Sequence, residues 1–189
     1  MKQFFSVFWL LVTLVSVGIP ANAVQRGLAF GENDRLDELF AEMQSDTGEG
    51  AASAEREVLR IFRQTGSAAM DLLLERGYAA LEVEDNQMAV WHFSALIDHA
   101  PDFAEAYNAR AVAFFIEGRY GEAIADIEMT LALNPRHFGA LAGLGSIEEE
   151  IGHPENALKA FKAALALNPH SADLAEAVKR VEDQLFTVH

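Results

Sequence analysis

His92 and His99 stand seven residues apart with Asp98 beside the second, so their imidazoles and a carboxylate could share one helical face, as ligands of a divalent metal do. A zinc site needs a third protein ligand, and none follows at a metal-binding spacing. His137, His153 and His170 are scattered over separate connections rather than gathered. The run Glu148-Glu149-Glu150 offers carboxylates, but it lies mid-helix without the Gly turn and alternating oxygens of a calcium loop. No G-x-S-x-G, H-E-x-x-H or glycine-rich phosphate loop occurs, and the absence of cysteine removes thiol nucleophiles and Cys metal sites. The expectation is therefore no catalytic residue, no metal and no cofactor. Surface or half-buried histidines and a solvated acidic face account for these groups. Arg76 and Arg110 form a different kind of pair. They lie 34 residues apart, and each is expected to meet a carboxylate of a neighbouring layer or to lay its stem on the core.

That interval of 34 organises the chain: "LALNPRHF" (131–138) returns 34 positions later as "LALNPHSA" (165–172). Blocks 104–137 and 138–171 align without a gap, placing Gly118 over Gly152, Ala123 over Ala157, Ile127 over Phe161 and Pro135 over Pro169. A block at 70–103 joins in register through Gly77, Ala89, Phe93 and Pro101. Each block splits into two amphipathic helices of about 13 residues, neither able to bury its apolar face alone. In the middle block Tyr107, Ala111 and Phe114 mark the first helix, and Ala123, Ile124, Ile127 and Leu131 mark the second. Ala111 and Ala123 are small where two backbones must approach. Gly118 and Gly152 supply the left-handed residue that ends a first helix. Asn134-Pro135 and Asn168-Pro169 end the second helices, because a residue before proline is pushed out of the helical region.

Small residues at places eight and twenty, a large apolar residue at twenty-four and Pro at thirty-two of a 34-residue period resemble the tetratricopeptide repeat (TPR) family. The departures are Arg76 and Arg110 where Leu is expected, Ala80 and Glu148 where an aromatic is expected, and Glu84 where the turn Gly belongs. The resemblance implies an all-α fold: a right-handed α-α superhelix, or TPR solenoid, of about three repeats at 70–103, 104–137 and 138–171. Residues 33–69 read as a degenerate N-terminal helical hairpin, a first repeat or cap lacking the marker residues. Its first helix runs from Asn33 or Asp34 to Met43, and "SDTGEGAAS" (45–53) reads as a loop. Its second helix carries Val58, Leu59, Ile61 and Phe62 and stops at Gly66. Residues 172–189 are a polar-backed capping helix and tail, with Leu174, Ala177, Val178, Val181 and Leu185 turned inward.

The start of the chain reads as a secretory signal, 1–23: Lys2, an apolar run from Phe4 to Ile19, then Ala21-Asn22-Ala23. Residues 24–32 are a disordered lead-in. The rival reading is an uncleaved N-terminal anchor facing the periplasm, but the run is short of the roughly 20 residues a bilayer needs. With no Cys after the cleavage site a lipoprotein anchor is excluded, so stable membrane insertion after cleavage is not expected. A periplasmic or secreted location follows, and short TPR proteins with such a signal look like those exported by Gram-negative bacteria. The formal net charge of −15 makes nucleic acid a poor partner.

Residues carried over from the family's groove positions propose Leu74, Tyr78, Asn108, Val112, Phe115, Ile116 and Glu149 as the partner-binding surface. Phe115 and Ile116 carry independent weight. Phe114 already fills the inward position, and three consecutive large apolar residues cannot all face one core. The family's peptide binders that grip a C-terminal carboxylate use Lys, Arg and Asn here, and only Asn108 is present. The expected guest is thus a protein or peptide segment with apolar and some basic side chains. The expected role is a non-catalytic interaction module or assembly scaffold of the bacterial envelope. The alternatives are an accessory subunit of an envelope enzyme complex and a homo-oligomer formed through the groove. The N-terminal hairpin or a second copy covering Tyr78, Val112, Phe115 and Ile116 is the competing use of that surface.

Overall fold

The computed structural model describes residues 32–45 and 48–187, so the signal stretch 1–23 and the lead-in up to residue 31 lie outside the described residues. Among the described residues every regular element is a helix: α1 (Glu32–Ser45), α2 (Glu49–Phe62), α3 (Ala68–Glu82), α4 (Asn86–His99), α5 (Ala104–Ile116), α6 (Tyr120–Leu133), α7 (Phe138–Glu150), α8 (Pro154–Leu167) and α9 (Ala172–Thr187). None of them is long and apolar enough to cross a membrane.

The pairs α3/α4, α5/α6 and α7/α8 repeat one geometry down to single hydrogen bonds. Each first helix closes with a bond spanning six residues: Asp85 N–H to the Ala80 carbonyl (2.9 Å), Arg119 to Phe114 (2.9 Å) and His153 to Glu148 (2.8 Å). That closure needs a left-handed residue just before the donor. Gly118 (φ 71°) and Gly152 (φ 81°) provide it freely, whereas the first pair holds Glu84 at φ 60°. The far corners are also alike, with Phe103 N–H donating to Ala100 O (3.1 Å), His137 to Asn134 O (3.1 Å) and Ser171 to Asn168 O (3.3 Å). Pro101, Pro135 and Pro169 therefore take the same place in successive turns, where a fixed φ suits the position.

Within each pair a small residue faces a large one. A Cβ built on Gly77 would lie 2.2 Å from the Phe93 ring, and one on Gly145 would lie 2.7 Å from the Phe161 ring. In the middle pair the large residue shrinks to Ile127 and the small one grows to Ala111, both in one buried cluster. Volume is conserved across the contact. Each second helix also packs on the first helix of the next pair, while α3 touches α5 and α5 touches α7. The first helices thus line the inner face of the superhelix. At its end α9 buries Leu174, Ala177, Val178 and Val181, and its polar back reaches the preceding pair through Arg180–Glu149 (2.7 Å) and Lys162–Glu182 (2.7 Å).

The N-terminal hairpin does not stack on α3 as a first repeat or cap would. Leu36, Leu39, Phe40 and Met43 of α1, with Val58, Ile61 and Phe62 of α2, share one core with Phe138, Phe161, Leu174 and Val181. The hairpin reaches that end because α2 runs back across the layers. Glu55 accepts from Asn168 Nδ2 (2.9 Å), Phe62 stacks on His137 (4.9 Å between centroids) and Arg63 reaches Glu105 (3.8 Å). Arg136–Asp37 (2.6 Å) ties α1 to the same row of corners. The apolar end of the array, α7 to α9, offers Phe138 and Phe161 to cover, and the connection through Gly66 (φ 77°) lets α2 turn toward them. The expected loop at 45–53 is also corrected. Helix α2 already begins at Glu49, because Gly48 makes the turn (φ 101°) and Ala51 and Ala54 are buried in helical register.

Candidate functional site

Glu105 holds the inner face together. It is buried, yet its carboxylate accepts from the Tyr78 hydroxyl of α3, from Asn108 Nδ2 (3.2 Å) and from His137 Nε2 (2.8 Å), with Arg63 of α2 at 3.8 Å. His137 is oriented from its other side, where Nδ1 accepts the Ala140 N–H (3.0 Å) and caps α7. With Nδ1 an acceptor, the proton is on Nε2 and points at Glu105. Burial, then the neighbouring Glu105 charge, pushes the Tyr78 phenol well above its ordinary value, so it stays a donor. Four segments of the chain meet at one carboxylate with its oxygens satisfied. This arrangement ties α2, α3, α5 and the start of α7 together at the inner face.

Around this centre the proposed groove residues divide into three sets. Leu74 is buried, Tyr78 and Asn108 are committed to Glu105, and Glu149 is held by Arg180 Nε and Nη2 (3.0 and 2.7 Å). The Arg180 hydrogen bonds keep the Glu149 carboxyl below its usual range. Phe115 is half-buried, tilted against Tyr120 (5.8 Å). Val112 (42% exposed) and Ile116 (55%) remain open, one turn apart on α5. The hairpin does not cover them, although it does cover Phe138 of the third pair.

Between α2 and α3 lies a cleft of about 860 Å³. Its α2 wall carries Arg56, Arg60 and Arg63 at helical spacing, and its α3 wall carries Asp71, Glu75 and Glu82. Leu59, Leu74, Tyr78 and Leu81 lie between them. These arginines escaped a reading confined to the repeats, because they stand on the hairpin. The legible signal was their i, i+4, i+7 spacing beside the hairpin's apolar stripe.

The other singled-out residues are placed as follows. Arg110 makes a bidentate pair with Asp126 (2.7 and 2.8 Å) and reaches Ser94 (3.0 Å), so the carboxylate belongs to its own pair and only the hydroxyl to the layer before. The expected cross-layer carboxylate is corrected, since the guanidinium reaches sideways to α6 sooner than across to the next layer. Arg76 is exposed. His92 is half-buried and His99 exposed, and among the described residues no group of three His, Asp or Glu side chains is placed to hold a metal. His153 pairs with Glu148 (3.0 Å) at the surface.

Stacked helix pairs with first helices inward, closed by a polar-backed helix and presenting a groove, define a helical-repeat solenoid. Residues 74–136 and 117–172 match the family model of the tetratricopeptide repeat. The chain belongs to the tetratricopeptide repeat family. It is similar to a TPR repeat-containing protein of Rhizobium etli, 32% identical over 162 residues that cover 85% of this chain and 79% of the relative. It is 28% identical over 148 residues to the small glutamine-rich tetratricopeptide repeat-containing protein 2 of Saccharomyces cerevisiae, and covers 42% of that protein's length with 75% of its own. In fold it is similar to the first TPR of Spaghetti (RPAP3) bound to an HSP90 peptide, with a TM-score of 0.59, 21% identity, and coverage of 61% of this chain and 92% of that one.

Proposed function

We propose that this protein is a non-catalytic interaction module, an assembly scaffold of the bacterial envelope, that holds a segment of a partner protein on the inner face of its superhelix. The observation that carries this is the outward pair Val112 and Ile116, at 42% and 55% exposure on the helix that lines the groove. Single exposed apolar side chains are ordinary, but two a turn apart on a helix that lines the inner face form a contact surface. The peptide held by the Spaghetti TPR supports the mode of use. A C-terminal carboxylate is not the guest here, since no Lys or Arg stands beside Asn108 at the carried-over groove positions and its amide is spent on Glu105. The envelope location rests on the signal-like stretch 1–23.

A photo-reactive amino acid at position 116, illuminated in the native compartment, tests the groove. One defined adduct is expected, lost when Val112→Asp is added. Adducts that form equally from position 91, on exposed Trp91 of α4, or that survive Val112→Asp would refute it. Both groove residues are exposed, so these changes leave the fold within about 0.5 kcal/mol of wild type. N-terminal sequencing of the chain from the periplasmic fraction tests export: a start at Val24 is expected, and a start at Met1 in the cytoplasm refutes it.

A further inference from the structure

We infer that the α2–α3 cleft receives an amphipathic, helix-forming segment of the partner whose apolar stripe is flanked by acidic residues on one edge and basic residues on the other. The inference rests on the groove reading above and specifies its guest. The floor is apolar, formed by Leu59, Leu74, Tyr78 and Leu81. The α2 edge is cationic: Arg56 is exposed, and Arg63 lies over the Tyr78 ring (4.9 Å) with Glu105 at 3.8 Å. Arg60 between them is bound by Glu57 through two bonds of 2.7 Å. The α3 edge is anionic. Asp71 is spent on Thr65 (2.7 Å), which leaves Glu75 and Glu82 exposed along the rim.

Among the described residues no ion pair joins Arg56 or Arg63 to Glu75 or Glu82. Arg56 and Arg63 face Glu75 and Glu82 across an apolar strip without pairing with them. A guest with one sign of charge on both flanks would therefore meet attraction at one wall and repulsion at the other. A guest with opposite flanks satisfies both, and its apolar stripe covers the leucines and Tyr78. The inference adds an acidic flank to the apolar and basic partner chemistry expected from the repeats.

Three labelled peptides of about 18 residues, long enough to hold a helix, share one leucine stripe and differ in their flanks: Glu and Lys, Glu on both, or Lys on both. Their anisotropy is titrated against the purified full chain. The mixed peptide should bind about three- to tenfold tighter than either single-sign peptide, the scale of one or two exposed ion pairs, and the advantage should shrink with salt. Arg56→Glu should make the Lys-flanked peptide the tightest, while Arg56→Lys should keep the wild-type order. The inference is overturned if the Lys-flanked peptide binds wild type as tightly as the mixed one, if Arg56→Glu leaves the order unchanged, or if no peptide binds. It is also overturned if light scattering finds a dimer that Arg56→Glu dissolves, because the occupant is then a second copy. Adducts from position 116 that persist when the peptides fail would leave the groove standing and remove only this guest.

Discussion

Replacing Gly77 by alanine sets two effects of opposite sign against each other. Gly is the poorer helix residue by about 1 kcal/mol, so an open helical site would be stabilised. At Gly77 the new methyl would stand 2.2 Å from one carbon of the Phe93 ring and 2.6 Å from two more. Ordinary carbon contacts begin near about 3.5 Å, so the ring must retreat by more than an ångström. Phe93 is fully buried and has nowhere to go. Overpacking of this kind costs about 1–3 kcal/mol, and a three-atom clash belongs at the upper end. The net loss is then about 2 kcal/mol, or about 4–8 °C in Tm for a chain of this size. Urea and thermal unfolding followed by circular dichroism read it directly. Gly121→Ala is the control, since a Cβ there meets nothing within 4 Å, and it should stabilise. Adding Phe93→Ile to Gly77→Ala recreates the Ala111–Ile127 arrangement of the middle pair and should recover most of the loss, a coupling of about 1 kcal/mol or more. If Gly77→Ala stabilised as Gly121→Ala does, or if Phe93→Ile added its full cost on top, the small-against-large account would be refuted.

Glu84→Gly should raise stability by about 1 kcal/mol, because it relieves a side chain held at φ 60° and restores the turn residue of the other pairs; an unchanged urea midpoint would refute the strain. Arg110→Ala should cost about 3 kcal/mol, since it strands buried Asp126, and Arg110→Ala with Asp126→Ala should recover much of that; equal losses for the single and double changes would count against it. Hydrogen bonds from Arg180 hold the Glu149 carboxyl low, so its contribution is present above the ordinary carboxylate value of about 4.3 and lost as pH falls through the lowered one. The difference in urea midpoint between wild type and Arg180→Gln should therefore narrow from pH 7 to pH 3, and a difference that stayed constant would refute the link. Tyr78, whose phenol is pushed up by burial, should remain un-ionised at pH 11 in the folded chain, so Tyr78→Phe should leave the phenolate absorbance there unchanged.

The repeats were legible because their physics is local. Gly118 and Gly152 permit a left-handed turn and the three corner prolines fix a dihedral, each within a few residues of itself, and the period reports them directly. The outward Ile116 was legible for a related reason, since three apolar neighbours exceed what one helix face can bury. The hairpin's destination was not legible. Leu39, Val58 and Phe62 announce an apolar face without naming the surface it will cover, and Glu105–His137 joins residues whose roles appear only when two layers meet. The arginine wall followed the hairpin out of reach, because its place opposite α3 depends on where the hairpin packs.

A stack of repeats alone would let each layer open with only its neighbours to hold it. Here Asp37 closes on Arg136 across 99 positions and Glu55 on Asn168 across 113, so the hairpin of α1 and α2 gains these contacts only when the later layers exist. Such distant closures raise contact order, slow folding and bind the layers into one cooperative unit. The strap makes an open-ended spring behave like a buckled belt, in which no turn loosens until the clasp does.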